Sequence, residues 1–315
     1  MQEIWPLPIL SIHSPPVTSR LVRQLLPYAD TVILDLEDSC WDPIRPERSA
    51  ALREQSRADL LDLSRQAGTF FEAGRIGFRI NRYESPEFAR DLEALGRITQ
   101  RAKLAAIVAT KVESPDTLSN IVDAVHGHGI VCREIVPIVE TVRGIENLPQ
   151  IAASAARFGV RAIVYGHYDF SLDAGHWPFL EFDDLRFWEW VHPIVETIES
   201  AGLTYVHPPF FRIYDAVGFD AMLCRLAEMC SRSFGVLALG PRQAAACSAF
   251  ERHASPLLPS PNIATVGESA ELAQSICQVF EDYEKENKGF AVEPKSGLFI
   301  SPHLYAAART YLEKS

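Results

Sequence analysis

The chain has 315 residues, 47% of them hydrophobic and 23% charged, with a formal net charge of −11. That length suits one large α/β barrel or two ordinary domains, and the composition excludes a fibre or a disordered chain. The acidic balance argues against nucleic-acid binding, which needs clustered Lys and Arg.

Short apolar runs recur between longer amphipathic segments. The first covers residues 7–14 and the second 31–38 (TVILDLED). The third and fourth are 75–81 (RIGFRIN) and 105–112 (AAIVATKV). The fifth and sixth are 134–140 (EIVPIVE) and 162–169 (AIVYGHYD). The seventh and eighth are 204–210 (TYVHPPF) and 234–240 (FGVLALG). Most are continuously apolar and rich in Ile and Val, as strands are when a parallel sheet buries both faces. Prolines crowd the first and seventh.

Helical patterns lie between them. Residues 86–98 carry Phe88, Leu92, Leu95 and Ile98 at three- and four-residue steps. Residues 114–126 open with Ser114 as N-cap and Pro115 at the first helical position. Residues 183–201 begin with acidic groups that suit the helix dipole. Strands and helices alternating over about 240 residues predict a (β/α)8 TIM barrel. The rival, a doubly wound open sheet, displays a glycine-rich turn after its first strand; here that place reads His13-Ser14-Pro15-Pro16. The expected organisation is a barrel over 1–254 and a C-terminal helical extension over 255–315, starting at a proline-rich break (255–260). Two helices, 269–286 and 302–313, would pack on the barrel or on a neighbouring subunit.

The six cysteines form no C-x-x-C pair, which suits reduced thiols in a cytoplasmic protein. Residues 1–10 lack the basic region of a secretory signal, and no apolar run reaches the ~18–20 residues of a membrane helix. The expectation is a soluble, cytoplasmic protein with no membrane partner.

In such a barrel the active site lies at the C-terminal ends of the strands. Strand two would bring Asp35, Glu37 and Asp38 there, and strand three Arg79 and Asn81. Strand four brings Lys111 and Glu113, and strand five Glu140 and Arg143. Strand six supplies Gly166, His167 and Asp169, strand seven His207, and strand eight Arg242 and Gln243. A single such residue is as easily a helix cap or a surface ion pair. Many carboxylates converging on one rim need compensation, and a cation is the simplest kind. Glu140 and Asp169 end consecutive strands and are the best ligand pair for Mg2+ or Mn2+, since oxygen-only ligation suits these ions. Arg79 can grip a substrate carboxylate through its planar fork. A chelated 2-oxo acid held this way would stabilise an enolate, as aldol cleavage requires. Metal-bound phosphoryl transfer uses similar ligands, but no Walker-type glycine loop is present. His167 and His207 are candidate bases; a rim histidine is more often a hydrogen-bonded structural group.

The segments TVILDLEDS, RIN (79–81), TKVES (110–114), PIVETVRGI (137–145) and YGHYDFSLD (165–173), in this order, resemble the HpcH/HpaI aldolase/citrate lyase family. The likeness is nearest to the citrate lyase beta-subunit-like branch, and the tail GFAVEPKSGLFISPHLYAAART is similar too. The resemblance implies a TIM barrel, a homotrimer or hexamer, and Mg2+ on Glu140 and Asp169. It also implies that Arg79 holds the oxo-acid carboxylate, and that Glu37 and Asp38 order water around the metal. Lys111 joins them beside the metal, and Gly166 and His167 would line the substrate.

Three departures stand out. Strand one ends in Ile12-His13-Ser14-Pro15 rather than Phe-Val-Pro-Gly. Strand eight ends in Gly240-Pro241-Arg242-Gln243 rather than His-Pro-x-Gln. Thioester-cleaving members carry a tail Asp where this chain has Ile300, and HpcH-like aldolases use a His near the place of Asp38. The first candidate for proton transfer is therefore His167, the second Asp38. The leading expectation is an Mg2+-dependent carbon–carbon lyase or aldolase acting on a small oxo- or hydroxy-acid. The alternatives are a citryl-CoA or malyl-CoA type thioester lyase, with acyl-CoA as partner, and a catalytically silent barrel that binds a metal and an oxo-acid.

Overall fold

A computed structural model describes residues 3–12, 15–66, 68–100, 103–251, 266–284 and 290–314. Eight parallel strands close into a barrel in sequential order. They are β1 (Ile4–Ser11), β2 (Val32–Asp35), β3 (Ile76–Ile80) and β4 (Leu104–Ala109), followed by β5 (Cys132–Val139), β6 (Ala162–Tyr165), β7 (Thr204–His207) and β8 (Phe234–Ala238). The expected TIM barrel is the observed one. The turn residues His13 and Ser14, the 255–260 break and the 254/255 boundary lie outside the described residues.

The barrel closes through β1, which carries Pro6 and Pro8. Residues two apart point their backbone groups to the same side, so both missing donors face one edge. β1 pairs with β8 along Ile4–Pro8 and with β2 only from Ile9 onward. The strand thus changes its main partner where its prolines end.

Alternation divides each strand between two cores. Leu7, Ile33, Val108, Val136, Ile138, Val164, Val206 and Leu237 fill the barrel interior. Their neighbours Leu34, Ile107, Ile135, Ile163, Tyr205 and Val236 face the helices in a second cluster. Two of the expected helices form almost as read. Ser85 caps Pro86–Thr99 by accepting from Phe88 N, and Ser114 caps Pro115–Gly127 by accepting from Thr117 N. The third expected helix starts at Leu185, with Asp184 as its cap.

Strand ends are shorter than the apolar runs suggest. β6 stops at Tyr165, and a short helix, His167–Asp173, begins two residues later. Asp169 therefore sits on the first turn of that helix rather than on a strand.

The tail packs on its own barrel. Helices Val266–Glu284 and Pro302–Lys314 share an apolar cluster with Tyr168, Phe179 and Phe211. A two-stranded hairpin (Ala291–Val292 with Phe299–Ile300) is stitched to the barrel: Phe299 N donates to Phe211 O at 2.7 Å, and Ile213 N to Gly297 O at 3.0 Å. Ile300 is buried in this cluster and faces apolar neighbours. No helix among the described residues is long and apolar enough to cross a membrane.

Gly77 lies inside the barrel opposite Ile33. A Cβ there would sit 2.6 Å from Ile33 Cδ1 and 2.7 Å from Ala106 O. Gly77→Ala is expected to destabilise the protein by about 1–3 kcal/mol, read as a lower urea midpoint; an unchanged midpoint would contradict this packing.

Candidate active site at the mouth of the barrel

Strand phase delivers most of the site. Ile138 points inward, so Glu140, two residues on, points into the mouth. By the same count Asp35 and Glu37 follow Ile33, Gly166 follows Val164, and Arg79 follows Gly77. Lys111 enters differently: its φ of 52° is left-handed, a conformation uncommon outside glycine that reverses the chain after β4. Its ammonium then reaches Asp169 Oδ1 at 2.7 Å, Glu37 Oε1 at 3.0 Å and Glu140 Oε1 at 3.8 Å. Its backbone N–H also donates to Glu140 Oε1 at 3.0 Å.

Arg79 is held in the same way. Its Nε and one terminal nitrogen fork onto Asp35 at 2.7 and 2.6 Å. The other terminal nitrogen lies 2.7 Å from Asp38 and 3.6 Å from Glu37. Gly166 keeps room for Glu140, because a Cβ on it would fall 2.4 Å from both Glu140 Cβ and Oε2.

One member of the cluster comes from the far end of the chain. His303, second residue of the last helix, places Nε2 3.1 Å from Asp169 Oδ1 and 3.4 Å from Asp38 Oδ1. Its ring packs at 4.7 Å on Trp41. Asp38, Asp169 and His303 offer three donor atoms within 4.8 Å of one another. Sequence reasoning stopped at Ile300 and missed it, although Ser301-Pro302-His303 is a helix start with a histidine at its tip.

The other two histidines turn away from this cluster. The His167 ring is buried among Phe187, Trp190 and Tyr168. Nε2 donates to Leu180 O at 2.9 Å, so the neutral ring accepts at Nδ1 from the Tyr165 hydroxyl at 3.1 Å. Both nitrogens are committed, and burial lowers the ring's pKa to about 4. His207 follows inward-facing Val206, so it faces outward, stacked on Trp188 with Nδ1 on the Tyr205 hydroxyl at 2.8 Å. Several further rim residues serve the scaffold. Asn81 bonds Leu36 O and Asp91, and Gln243 clamps Leu239 N to Phe210 O. Arg143 and Arg242 are exposed, and Glu113 lies 3.7 Å from Arg82 and 4.0 Å from Arg143.

Charge in the cluster is out of balance. Asp35, Glu37, Asp38, Glu140 and Asp169 meet three basic groups, Arg79, Lys111 and His303. Burial, then Asp169, push the Glu140 carboxyl well above its usual range, against the pull of Lys111. Burial and Asp38 raise Glu37, and its buried Oε2 makes no hydrogen bond among the described residues, with only the Arg79 guanidinium at 3.6 Å. Burial would raise Asp169 too, but His303 and Lys111 outweigh it and hold the carboxyl well below the ordinary value. Burial would lower His303, yet Asp169 and Asp38 lift it to about 9. Lys111 is raised likewise, by Glu37 and Glu140 against burial. Added positive charge would suit this cluster, and oxygen donors fit a hard divalent cation.

A family profile described as HpcH/HpaI aldolase/citrate lyase matches residues 16–221, well over half of the sequence. The chain belongs to this family. Among solved structures it is similar to RipC from Yersinia pestis, with 20% identity, TM-score 0.56, and 78% of this chain and 93% of that one covered. It is also similar to CitE from Mycobacterium tuberculosis in complex with magnesium and pyruvate, with 19% identity, TM-score 0.59, and 80% and 92% covered. A third likeness is to CitE with magnesium, acetoacetate and coenzyme A, with 18% identity, TM-score 0.59, and 99% and 98% covered. No curated protein matches the sequence. At these identities the structural likenesses speak for the barrel alone.

His303 gives the metal-free protein a pH signature. Its folded pKa of about 9 exceeds the ordinary 6.5. The stabilisation is therefore complete below about pH 6.5 and fades as pH rises through about 9. With EDTA present, the thermal midpoint of the native chain relative to His303→Asn should fall by several degrees across that window. A constant difference would mean that His303 is not protonated against Asp169.

Proposed function

We propose that this family member is a divalent-metal-dependent carbon–carbon lyase acting on a small oxo- or hydroxy-acid. The observation that carries the reading is the convergence of Glu37, Glu140 and Asp169 on the Lys111 ammonium, with Asp38 beside them on Arg79 and His303 and a buried Glu37 oxygen still without a hydrogen bond. CitE, similar in fold, binds magnesium with pyruvate. Glu140 and Asp169 would hold Mg2+ or Mn2+, and Glu37 and Asp38 would orient its water. When bound, the ion supplies positive charge for the enolate left by carbon–carbon cleavage.

The chain's own groups do the remaining work. Arg79 binds the substrate carboxylate with its terminal nitrogens, exchanging one carboxylate partner for another of the same geometry. Lys111 keeps Asp169 ionised and yields its place beside Glu140 by swinging its flexible stem. Gly166 leaves the wall beside Glu140 open for the substrate head. His167, locked on both sides, anchors the start of the short helix that carries Asp169. His303 carries a proton at Nε2 beside Asp38, and these two are the groups placed to exchange it with substrate.

Mg2+ titration by calorimetry tests the metal site directly. The native chain should bind, and Glu140→Gln and Asp169→Asn should each weaken binding at least tenfold, as loss of a charged ligand implies. If neither substitution affects binding, the metal reading fails. Retro-aldol turnover of hydroxy-oxo-acids should fall by roughly 100-fold or more in His303→Asn if it exchanges the proton. A silent barrel that binds an oxo-acid without turnover is the second reading. Buried Ile300, which leaves no carboxyl at that point of the tail, favours it; it would be recognised by metal-dependent binding without cleavage.

A further inference from the structure

The cavity above the carboxylates measures about 480 Å3. That lies in the ~300–1,000 Å3 range of sites that enclose drug-sized ligands. A three- or four-carbon oxo-acid at Glu140 and Asp169 would leave most of it to water. The rest of the wall is mostly apolar. The carboxylates lie at or just past the ends of β2, β5 and β6, whereas Ile9, Leu237 and Leu239 line the side where β8 meets β1. Phe299 and Phe290 from the tail and Trp41 after β2 add aromatic surface. One side of a single chamber is charged, and the other is aliphatic and aromatic.

Cations are scarce along this wall. Arg48 and Arg79 are the Arg or Lys side chains among the described lining residues, and both are paired. Arg48 meets Asp42 at 3.4 Å, and Arg79 meets Asp35 and Asp38. A nucleotide-bearing thioester needs basic groups for its phosphates. An apolar chain needs only dry walls.

Resting on the metal-dependent reading above, we propose that the substrate is a free 2-oxo or hydroxy-oxo acid bearing an apolar alkyl or aryl chain. Its acid head lies at Glu140, Asp169 and Arg79, and its chain lies against Leu237, Leu239, Ile9 and Phe299. Trp41 and the tail residues roof the chain. Because the tail also delivers His303, chain recognition and the proton-carrying group share one support.

The test is a calorimetric series on the full chain with Mg2+, using pyruvate, 2-oxobutanoate, 2-oxohexanoate, 2-oxooctanoate and phenylpyruvate. Affinity should rise about threefold to fourfold per methylene, and on the order of a hundredfold from 2-oxobutanoate to 2-oxooctanoate. Leu239→Trp, which fills the apolar side, should cancel most of that gain; Ile9→Phe serves if the first variant does not fold. A flat series with pyruvate still bound would overturn the apolar-chain assignment and leave the metal-dependent reading standing. An octanoyl thioester of coenzyme A that binds more tightly than 2-oxooctanoate would overturn the free-acid assignment. No binding of any oxo-acid, pyruvate included, would overturn both readings.

Discussion

Carboxylates that would repel one another in water are pressed together at the mouth of this barrel, and much of the local structure is organised to tolerate them. Lys111 adopts a left-handed backbone to bring its ammonium between three of them. Arg79 spends one fork on Asp35 and its remaining nitrogen on Asp38. His303 arrives from the last helix to meet Asp169. Such a concentration of buried charge stabilises a fold poorly, because desolvation consumes most of the attraction. Its persistence makes sense where a cation and an anionic substrate are exchanged.

Those same contacts explain what could be read from the chain in advance. Buried parallel strands are apolar on both faces, so all eight runs were visible without pairing information. Their ends were not, because a polar residue after an apolar run continues a strand or starts a helix with equal ease. Asp169 shows this: it looked like the end of β6 and lies in the helix His167–Asp173. Glu140, Asp169, Arg79, Glu37, Asp38 and Lys111 were legible because the fold class sends such strand-end positions to one rim. His167 and His207 were legible only as rim histidines. Nothing in composition separates a ring facing the rim from one facing the outer helices.

The tail was the opaque part. Its docking depends on shape, with Phe299 edge-on to Phe211 at 5.3 Å and Tyr311 beside Trp177 at 5.8 Å. Periodicity carries no trace of such long-range fits. Ile300 reads as a loss when viewed as a missing acid. In the folded protein it is the apolar anchor of a hairpin, and it holds the segment that points His303 inward. A carboxyl at that position would be buried among hydrocarbon without a partner, at a cost in stability.

The way the strands deliver their polar residues has one more consequence. Ile138 and Glu140, Val164 and Gly166, Ile33 and Asp35, Gly77 and Arg79 each sit two residues apart, on the same face of the chain. The site is in effect addressed by parity. Substitution at any of these places alters one group, but a one-residue insertion or deletion inside a strand exchanges every inward residue for its outward neighbour. Lengthening a connection at the opposite end of the barrel, such as the one between Met229 and Phe234, leaves that count intact. Divergence in this lineage is therefore free to rebuild loops and walls, while the number of residues between barrel interior and mouth stays fixed.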